Sequence, residues 1–249
     1  MPTRTSENGK EDTPTVPASG QPPQSHDSHH GAVPAQERAM RSPSAVAVFL
    51  VVLAGTLAGD LLSKHYVFAW LLSAPDLAAR VEVVRKSAGA RRVGPRELLH
   101  KLDLRRTICP GLNFTLSLNK GAVFGIEFHH SPAVHRTVVG VATAATTVLV
   151  LYFFAFSHRR ARAMHVSMAF ILAGALGNLY DRLTSSVALP GTSPIRYNVR
   201  DFIDCSEIPL PFGFRYVWVF NVADVLLVVG IAVLILHWLI AGRKARPAA

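Results

Sequence analysis

Acidic residues are scarce in this chain. It carries 16 Asp and Glu against 26 Lys and Arg, a formal net charge of +10. All charged residues together make up only 17% of the 249 residues, whereas 50% are hydrophobic. That balance is unusual for a soluble domain of this length and implies long apolar runs. Cysteine is nearly absent: Cys109 and Cys205 stand alone, with no CxxC spacing and no His beside them in a ligand pattern. A zinc site is therefore unsupported, and no metal or cofactor is expected. HExxH is missing, and no Ser/His or Cys/His set is available in the region where Asp181, Asp201 and Asp224 can meet. His129, His130 and His135 have no nucleophile beside them in a known motif. The positive charge would suit nucleic acid or anionic lipid. It flanks apolar segments, and neither a zinc-finger nor an RNA-recognition motif occurs, so lipid is the expected partner and nucleic acid is not.

Residues 1–42 contain no Leu, Ile, Phe, Tyr or Trp. Such a segment cannot bury enough apolar surface to offset its ordering entropy, so a disordered tail is expected there. His26, His29 and His30 are read as part of that solvated tail. Four apolar runs follow, at about 44–72, 137–157, 163–186 and 217–241. The second has no charged residue. At about 1.5 Å of rise per helical residue, it can cross a hydrocarbon core of about 30 Å. The first run is not read as a secretory signal peptide, because a long polar tail precedes it and Asp60 and Lys64 lie inside it.

Short-loop basic residues set the orientation. The link between the second and third runs reads His158-Arg159-Arg160-Ala161-Arg162, and the C-terminal tail 242–249 contains Arg243-Lys244-Ala245-Arg246. Both termini are therefore expected in the cytoplasm, and Arg38 and Arg41 agree. The loop Ser73–Pro132 is basic too, but long loops count less in this rule. Segments 73–132 and 187–216 then lie outside, where the two cysteines could pair. Two separate thiols are the favoured reading. Leu112–Leu118 alternates apolar and polar residues as a half-buried strand does, and Val81–Arg85 lies in the same segment. The expected fold is an all-α membrane protein: a four-transmembrane-helix bundle over residues 43–241 with a small extracytoplasmic β-rich subdomain.

Charge inside a span costs roughly 2.5–3.5 kcal/mol on insertion scales, so it persists where it has work to do. Asp60 and Lys64, at i and i+4, share one face of the first helix. Asn178 and Asp181 repeat at i and i+3 near the outer end of the third, followed by Arg182. That guanidinium is expected to reach a carboxylate elsewhere or the head-group region. Asn221 and Asp224 have the same i, i+3 spacing near the outer end of the fourth helix, and Asp201 sits in the loop before it. Two carboxylates brought close cannot both ionise cheaply, so one keeps a proton and the pair becomes an acid and a base. That suits amide hydrolysis. Intramembrane carboxylates also serve proton or cation transport, so these features alone leave an enzyme and a transporter level.

Five elements carry a family resemblance. Asp60-Leu61-Leu62-Ser63-Lys64 resembles D-Q-x-x-K, with Leu61 where the Gln usually stands. Asn119-Lys120-Gly121-Ala122-Val123-Phe124-Gly125 resembles N-x-G-A-A-F. Ala173–Arg182 resembles G-G-A-x-G-N-x-x-D-R, Val199-Arg200-Asp201-Phe202 resembles V-x-D-F, and Phe220-Asn221-Val222-Ala223-Asp224 resembles F-N-x-A-D. In this order and at these span ends, they are similar to the bacterial lipoprotein signal peptidases (signal peptidase II). The resemblance implies a monomeric aspartic endopeptidase of the bacterial inner membrane. It would remove signal peptides from prolipoproteins, before a diacylglyceryl-modified cysteine. It also implies that Asp201 and Asp224 are catalytic, ranking them above Asp181, which the residues alone did not. Asp60, Lys64, Asn119, Gly121, Asn178, Asp181, Arg182 and Asn221 would bind substrate or support the site. A carboxylate-dependent transporter or an inactive membrane scaffold is the alternative. Two segments depart from the pattern: 73–118 is enlarged, and the stretch between Arg182 and Asp201 is lengthened.

Overall fold

The computed structural model describes residues 33–120, 132–209, 211 and 217–244. Four helices in it are long and apolar enough to cross a membrane. They are α1 (Pro43–Leu72), α4 (Pro132–Phe156), α5 (Arg162–Thr184) and α6 (Val222–Lys244). Between α1 and α4 lie α2 (Leu77–Ser87), α3 (Pro95–Leu102), β1 (Arg105–Cys109) and β2 (Leu112–Asn119). Between α5 and α6 lie β3 (Ser186–Val187), β4 (Ile195–Arg196), β5 (Val199–Asp204) and β6 (Val219–Phe220). The expected bundle with its small sheet is the observed architecture.

The central helix is α5, which packs against α1, α4 and α6 and buries residues on several faces, among them Ser167, Met168, Leu172 and Asn178. The other three turn large apolar side chains outward, including Leu50, Val51, Val141, Val148 and Val228. In water that surface would be a liability, whereas in hydrocarbon it is ordinary. Between α5 and α6 the separation is set by small residues. A Cβ on Gly174 would lie 2.4 Å from the Ala223 carbonyl oxygen and 2.7 Å from Leu227 Cγ. Backbone cannot yield there as a flexible side chain could. Gly174→Ala should therefore lower the thermal midpoint in detergent by an amount equivalent to about 1–3 kcal/mol of overpacking. An unchanged midpoint would show that the helices separate freely.

At one end of the bundle the four-stranded sheet runs β1-β2-β5-β6, antiparallel throughout. Its core holds Phe68 and Leu71 of α1, Leu77 and Val81 of α2, Leu98 and Leu102 of α3, Leu116 of β2, Phe202 of β5, and Val187 and Ile195 from the β3–β4 pair. Both enlarged segments thus share one apolar core. Arg85 of α2 also donates to the Gly191 carbonyl at 2.6 Å, and Arg96 of α3 to Asn198 Oδ1 at 2.7 Å.

Three expectations need correction. Val81–Arg85, placed beside the expected strand in the outer segment, is helical. Leu77 and Val81 are buried at i and i+4, while Glu82 and Lys86 pair on the exposed side, which is a helical pattern too short to separate from alternation by eye. The fourth span starts at Val222 rather than near 217, because Val219 and Phe220 pair with Asp204 and Ile203 of β5. Residues 33–42 are not disordered: they form short 3-10 turns at Ala35–Glu37 and Ala39–Arg41. The loop after α4 holds them by backbone hydrogen bonds, with Ala39 N–H on Ser157 O at 2.8 Å and Arg159 N–H on Glu37 O at 2.7 Å, and by the side-chain contact of His158 with Glu37. Residues 1–32 lie outside the described residues.

Candidate active site

The site begins with how α6 starts. The first turn of any helix has N–H groups without intrahelical acceptors. Here Asn221 Oδ1 accepts the Asp224 N–H at 3.1 Å, and Asp224 Oδ2 accepts the Asn221 N–H at 3.1 Å. This is a reciprocal capping box with Asp in place of Glu, and it fixes both side chains at the positive end of the helix dipole. A third orphan donor, Ala223 N–H, is taken by Asp60 Oδ1 of α1 at 2.8 Å. Asp60 can come that close because residue 177 is glycine; a Cβ there would lie 2.3 Å from Asp60 Oδ2.

Lys64 lies one turn beyond Asp60 and is fully buried. Its ammonium donates to Asp60 Oδ2 at 2.7 Å and Asn178 Oδ1 at 3.1 Å, and stands 3.5 Å from Asp181 Oδ2. Both amides of the i, i+3 pairs act as connectors. Asn178 Nδ2 donates to Asp224 Oδ1 at 2.8 Å. Asn221 Nδ2 donates to Asn178 Oδ1 at 3.1 Å and to Asp201 Oδ1 at 2.6 Å. Asp201 and Asp224 are therefore linked through two amides that bond each other, Asn221 on Asp201 and Asn178 on Asp224.

The lengthened chain before Asp201 does not prevent this meeting, because the register of β5 settles it. β5 lies between β2 and β6, and β6 runs straight into α6. Pairing of Ile203 with Phe220 and of Asp204 with Val219 places Asp201 beside the start of α6. Successive strand residues point to opposite faces. So Asp201 faces α6, and Arg200 faces back to α5, where it donates to Asp181 through its backbone N–H at 2.9 Å, Nε at 2.9 Å and a terminal nitrogen at 2.6 Å.

Asp201 is buried and Asp224 is half-buried. Burial pushes the Asp201 carboxyl up to about 7, helped by the negative charge of Asp224 and opposed by hydrogen bonds from Asn221 and Asn119 and the charge of Lys64. Arg182 Nη1 donates to the Asn178 carbonyl at 3.4 Å. Its buried Nε has no hydrogen-bond partner among the described residues, and its charge acts on Asp201, Asp224 and Asp181. No group of three or more His, Cys, Asp or Glu is arranged to hold a metal among the described residues.

Of the anticipated residues, Asp60, Lys64, Asn178, Asp181, Asp201, Asn221 and Asp224 form one hydrogen-bonded and ion-paired network. Asn119 joins through Asp201, and Arg182 through its charge. Gly121 lies outside the described residues. Arg200 was not anticipated. The guanidinium bound to Asp181 is that of Arg200, not that of the adjacent Arg182. Alternation along Val199-Arg200-Asp201-Phe202, once read as a strand, carries that signal.

The family model described as Signal peptidase (SPase) II matches residues 52–240, which include every described member of this network. The chain belongs to the signal peptidase II family. Signal peptidase II enzymes are aspartic peptidases, and this is a multi-pass membrane member. A lipoprotein signal peptidase of Aquifex aeolicus (strain VF5) is 34% identical over 131 residues, 53% of this chain and 68% of that protein. One from Anaeromyxobacter sp. (strain Fw109-5) is 32% identical over 119 residues, 48% of this chain and 50% of that protein. A solved bacterial membrane enzyme superposes with a TM-score of 0.53 at 21% identity, covering 82% of this chain and 94% of that one, so the fold is shared.

Proposed function

We propose that this signal peptidase II removes the signal peptide from prolipoproteins, hydrolysing the bond before the diacylglyceryl-modified cysteine, with Asp201 and Asp224 as the acid and base. One observation carries the reading: carboxylates from a strand and a helix start, distant in sequence, share two connecting amides at one end of four membrane-length helices. Asp224, half-buried and at the positive end of α6, is the ionised member and takes a proton from the attacking water. Asp201 holds the proton that passes to the scissile carbonyl oxygen. Collapse of the tetrahedral adduct returns a proton to the leaving amine. Asn178, Asn221 and Lys64 hold both carboxylates in register, and Arg182 tempers their mutual repulsion. The basic Arg159–Arg162 loop at the far end supports a cytoplasmic placement of that end, which puts the dyad at the extracytoplasmic boundary, where a signal helix leaves the bilayer.

The test uses purified protein in lipid nanodiscs, a prolipoprotein peptide carrying the diacylglyceryl cysteine and the same peptide without the lipid. Cleavage before the modified cysteine, undiminished by chelator, is expected. Failure to cleave the lipidated peptide, or equal cleavage of both peptides, would remove the proposed substrate.

The raised Asp201 carboxyl sets the pH dependence. The working state has Asp201 protonated, and Asp201 loses that proton as pH rises through about 7. Above that point kcat/KM should fall roughly tenfold per pH unit. A rate still climbing between pH 8 and 9 would assign the acid elsewhere.

A further inference from the structure

The end of the bundle opposite the dyad carries a second polar construction that the proposed reaction leaves unused. A cleft of about 230 Å³ opens between the start of α1 and the loop joining α4 to α5, lined by Ser42, Ser44, Ala45, Arg159, Arg160 and Arg162. Three arginines and two serines thus line one small space. It is below the ~300–1,000 Å³ of pockets for drug-sized ligands, so it suits a head group rather than a large molecule.

Among the described residues no carboxylate neutralises these arginines. Across residues 33–59, 132–180 and 225–244 the one acidic residue is Glu37. Glu37 is already engaged: its Oε2 meets His158 Nε2 at 3.0 Å. Among the described residues no ion pair reaches Arg159, Arg160 or Arg162. Arg38, another nearby cation, is held away, with Nε on the Val33 carbonyl at 3.1 Å and its guanidinium over the Phe156 ring at 4.7 Å.

The loop carrying these arginines is fixed before any ligand arrives. Arg159 N–H bonds Glu37 O and Ala39 N–H bonds Ser157 O. The Ser157 hydroxyl meets Nε2 of the buried His165 at 3.0 Å. Across the cleft, Ser42 caps α1, its Oγ accepting the Ala45 N–H, and Ser44 sits exposed in the first turn. Arginines on a loop held by backbone hydrogen bonds, serines and the positive end of a helix, with no counter-charge among the described residues, match a tetrahedral oxyanion.

We propose that this cleft binds a phosphate group, presented by the head group of an anionic phospholipid or as free phosphate. Its position beside the first turn of a membrane-length helix is where a lipid phosphate would lie.

The experiment uses the full chain in nanodiscs of phosphatidylcholine, with and without phosphatidylglycerol, and a third arm with inorganic phosphate added to the phosphatidylcholine discs. Thermal midpoint and lipid retention by native mass spectrometry are read. Phosphatidylglycerol should raise the midpoint and remain bound. A rise with phosphate alone would assign the site to the free anion, within the same chemistry. Replacing Arg159, Arg160 and Arg162 with Gln should weaken retention about tenfold or more, because several charge-assisted hydrogen bonds are lost together.

Ser44→Asp separates binding from folding. A carboxylate in the first turn favours the helix, yet it occupies the cleft with negative charge, so this variant should fold at least as well and lose retention. Replacing Lys86, Arg91 and Arg92, which lie outside this cleft, with Gln removes equal charge and should leave retention intact. Equal loss in that control, or undiminished retention in Ser44→Asp and in the arginine variant, would overturn the proposal.

Discussion

Asp201→Asn and Asp224→Asn are each expected to abolish prolipoprotein cleavage, by about 10⁴-fold or more, and the double variant to fall little further. Residues that act as a unit are non-additive in this way, because removing either member already removes the shared step. The substitutions are conservative in the network. An amide at 224 can still accept the Asn221 N–H, which now bonds Asp224 Oδ2 at 3.1 Å, while giving up the acceptor that now takes Asn178 Nδ2 at 2.8 Å. An amide at 201 can still accept from Asn221 Nδ2, which now lies 2.6 Å from Oδ1. Folding should therefore survive, and stability provides an independent readout at residue 201. The carboxyl holds its proton up to about 7 in the folded chain against 3.8 for the ordinary group. A raised carboxyl contributes stability that is complete below the unfolded value and lost as pH rises through the folded one. Asp201→Asn, neutral at every pH, should thus show a higher thermal midpoint than the parent at pH 8–9 and no gain near pH 4. Residual cleavage within tenfold of the parent in either variant would sink the dyad. A midpoint that does not depend on pH in this way would instead show that Asp201 is not the buried acid.

Much of this was legible because lipid is a demanding solvent. A span must be apolar and helical, so four runs were visible, and each charge inside them marked a position where a polar partner had to exist. The i, i+3 spacing of Asn221 and Asp224 was visible too. Its meaning was not: it is a capping box, and it shows only when α6 is seen to begin at Val222. The same holds for Asp60, whose partner besides Lys64 is a backbone N–H 163 residues away, at Ala223. Backbone donors carry no sequence signature. The short strand β6 was hidden because two residues have no periodicity to read, yet its pairing with β5 brings Asp201 to Asp224. Arg200 was missed for the related reason that alternation matters only once the strand is known. The helical insertion α2–α3 was blurred because its buried positions, Leu77 and Val81 and then Leu98, Leu99 and Leu102, are few and interrupted by charge.

Lys64→Met tests whether that buried network is held by its one ammonium. In place of the cation the variant leaves Asp60 and Asp181 facing each other with no exposed surface. The two are not equally abandoned. Asp181 keeps three donors from Arg200, whereas Asp60 keeps, among the described residues, only the Ala223 N–H. Removing one partner of a buried pair costs about 3–5 kcal/mol, since an uncompensated charge remains. Lys64→Met should accordingly lose most of its folded population in detergent, and with it the connection from α1 to Asn178. The stranded charge is the cause, so neutralising it should rescue. Adding Asp60→Asn to Lys64→Met should recover a large part of the lost midpoint, although Asp60→Asn alone lowers it. A simple sum of two losses would mean that Lys64 acts by packing its stem rather than by its charge. Cleavage by the rescued double variant then reads a separate property. Asn178 would have lost the ammonium that now holds its Oδ1 at 3.1 Å while still donating to Asp224. A folded but slow enzyme, with kcat depressed more than KM is raised, is the expected outcome if the ammonium also positions the dyad.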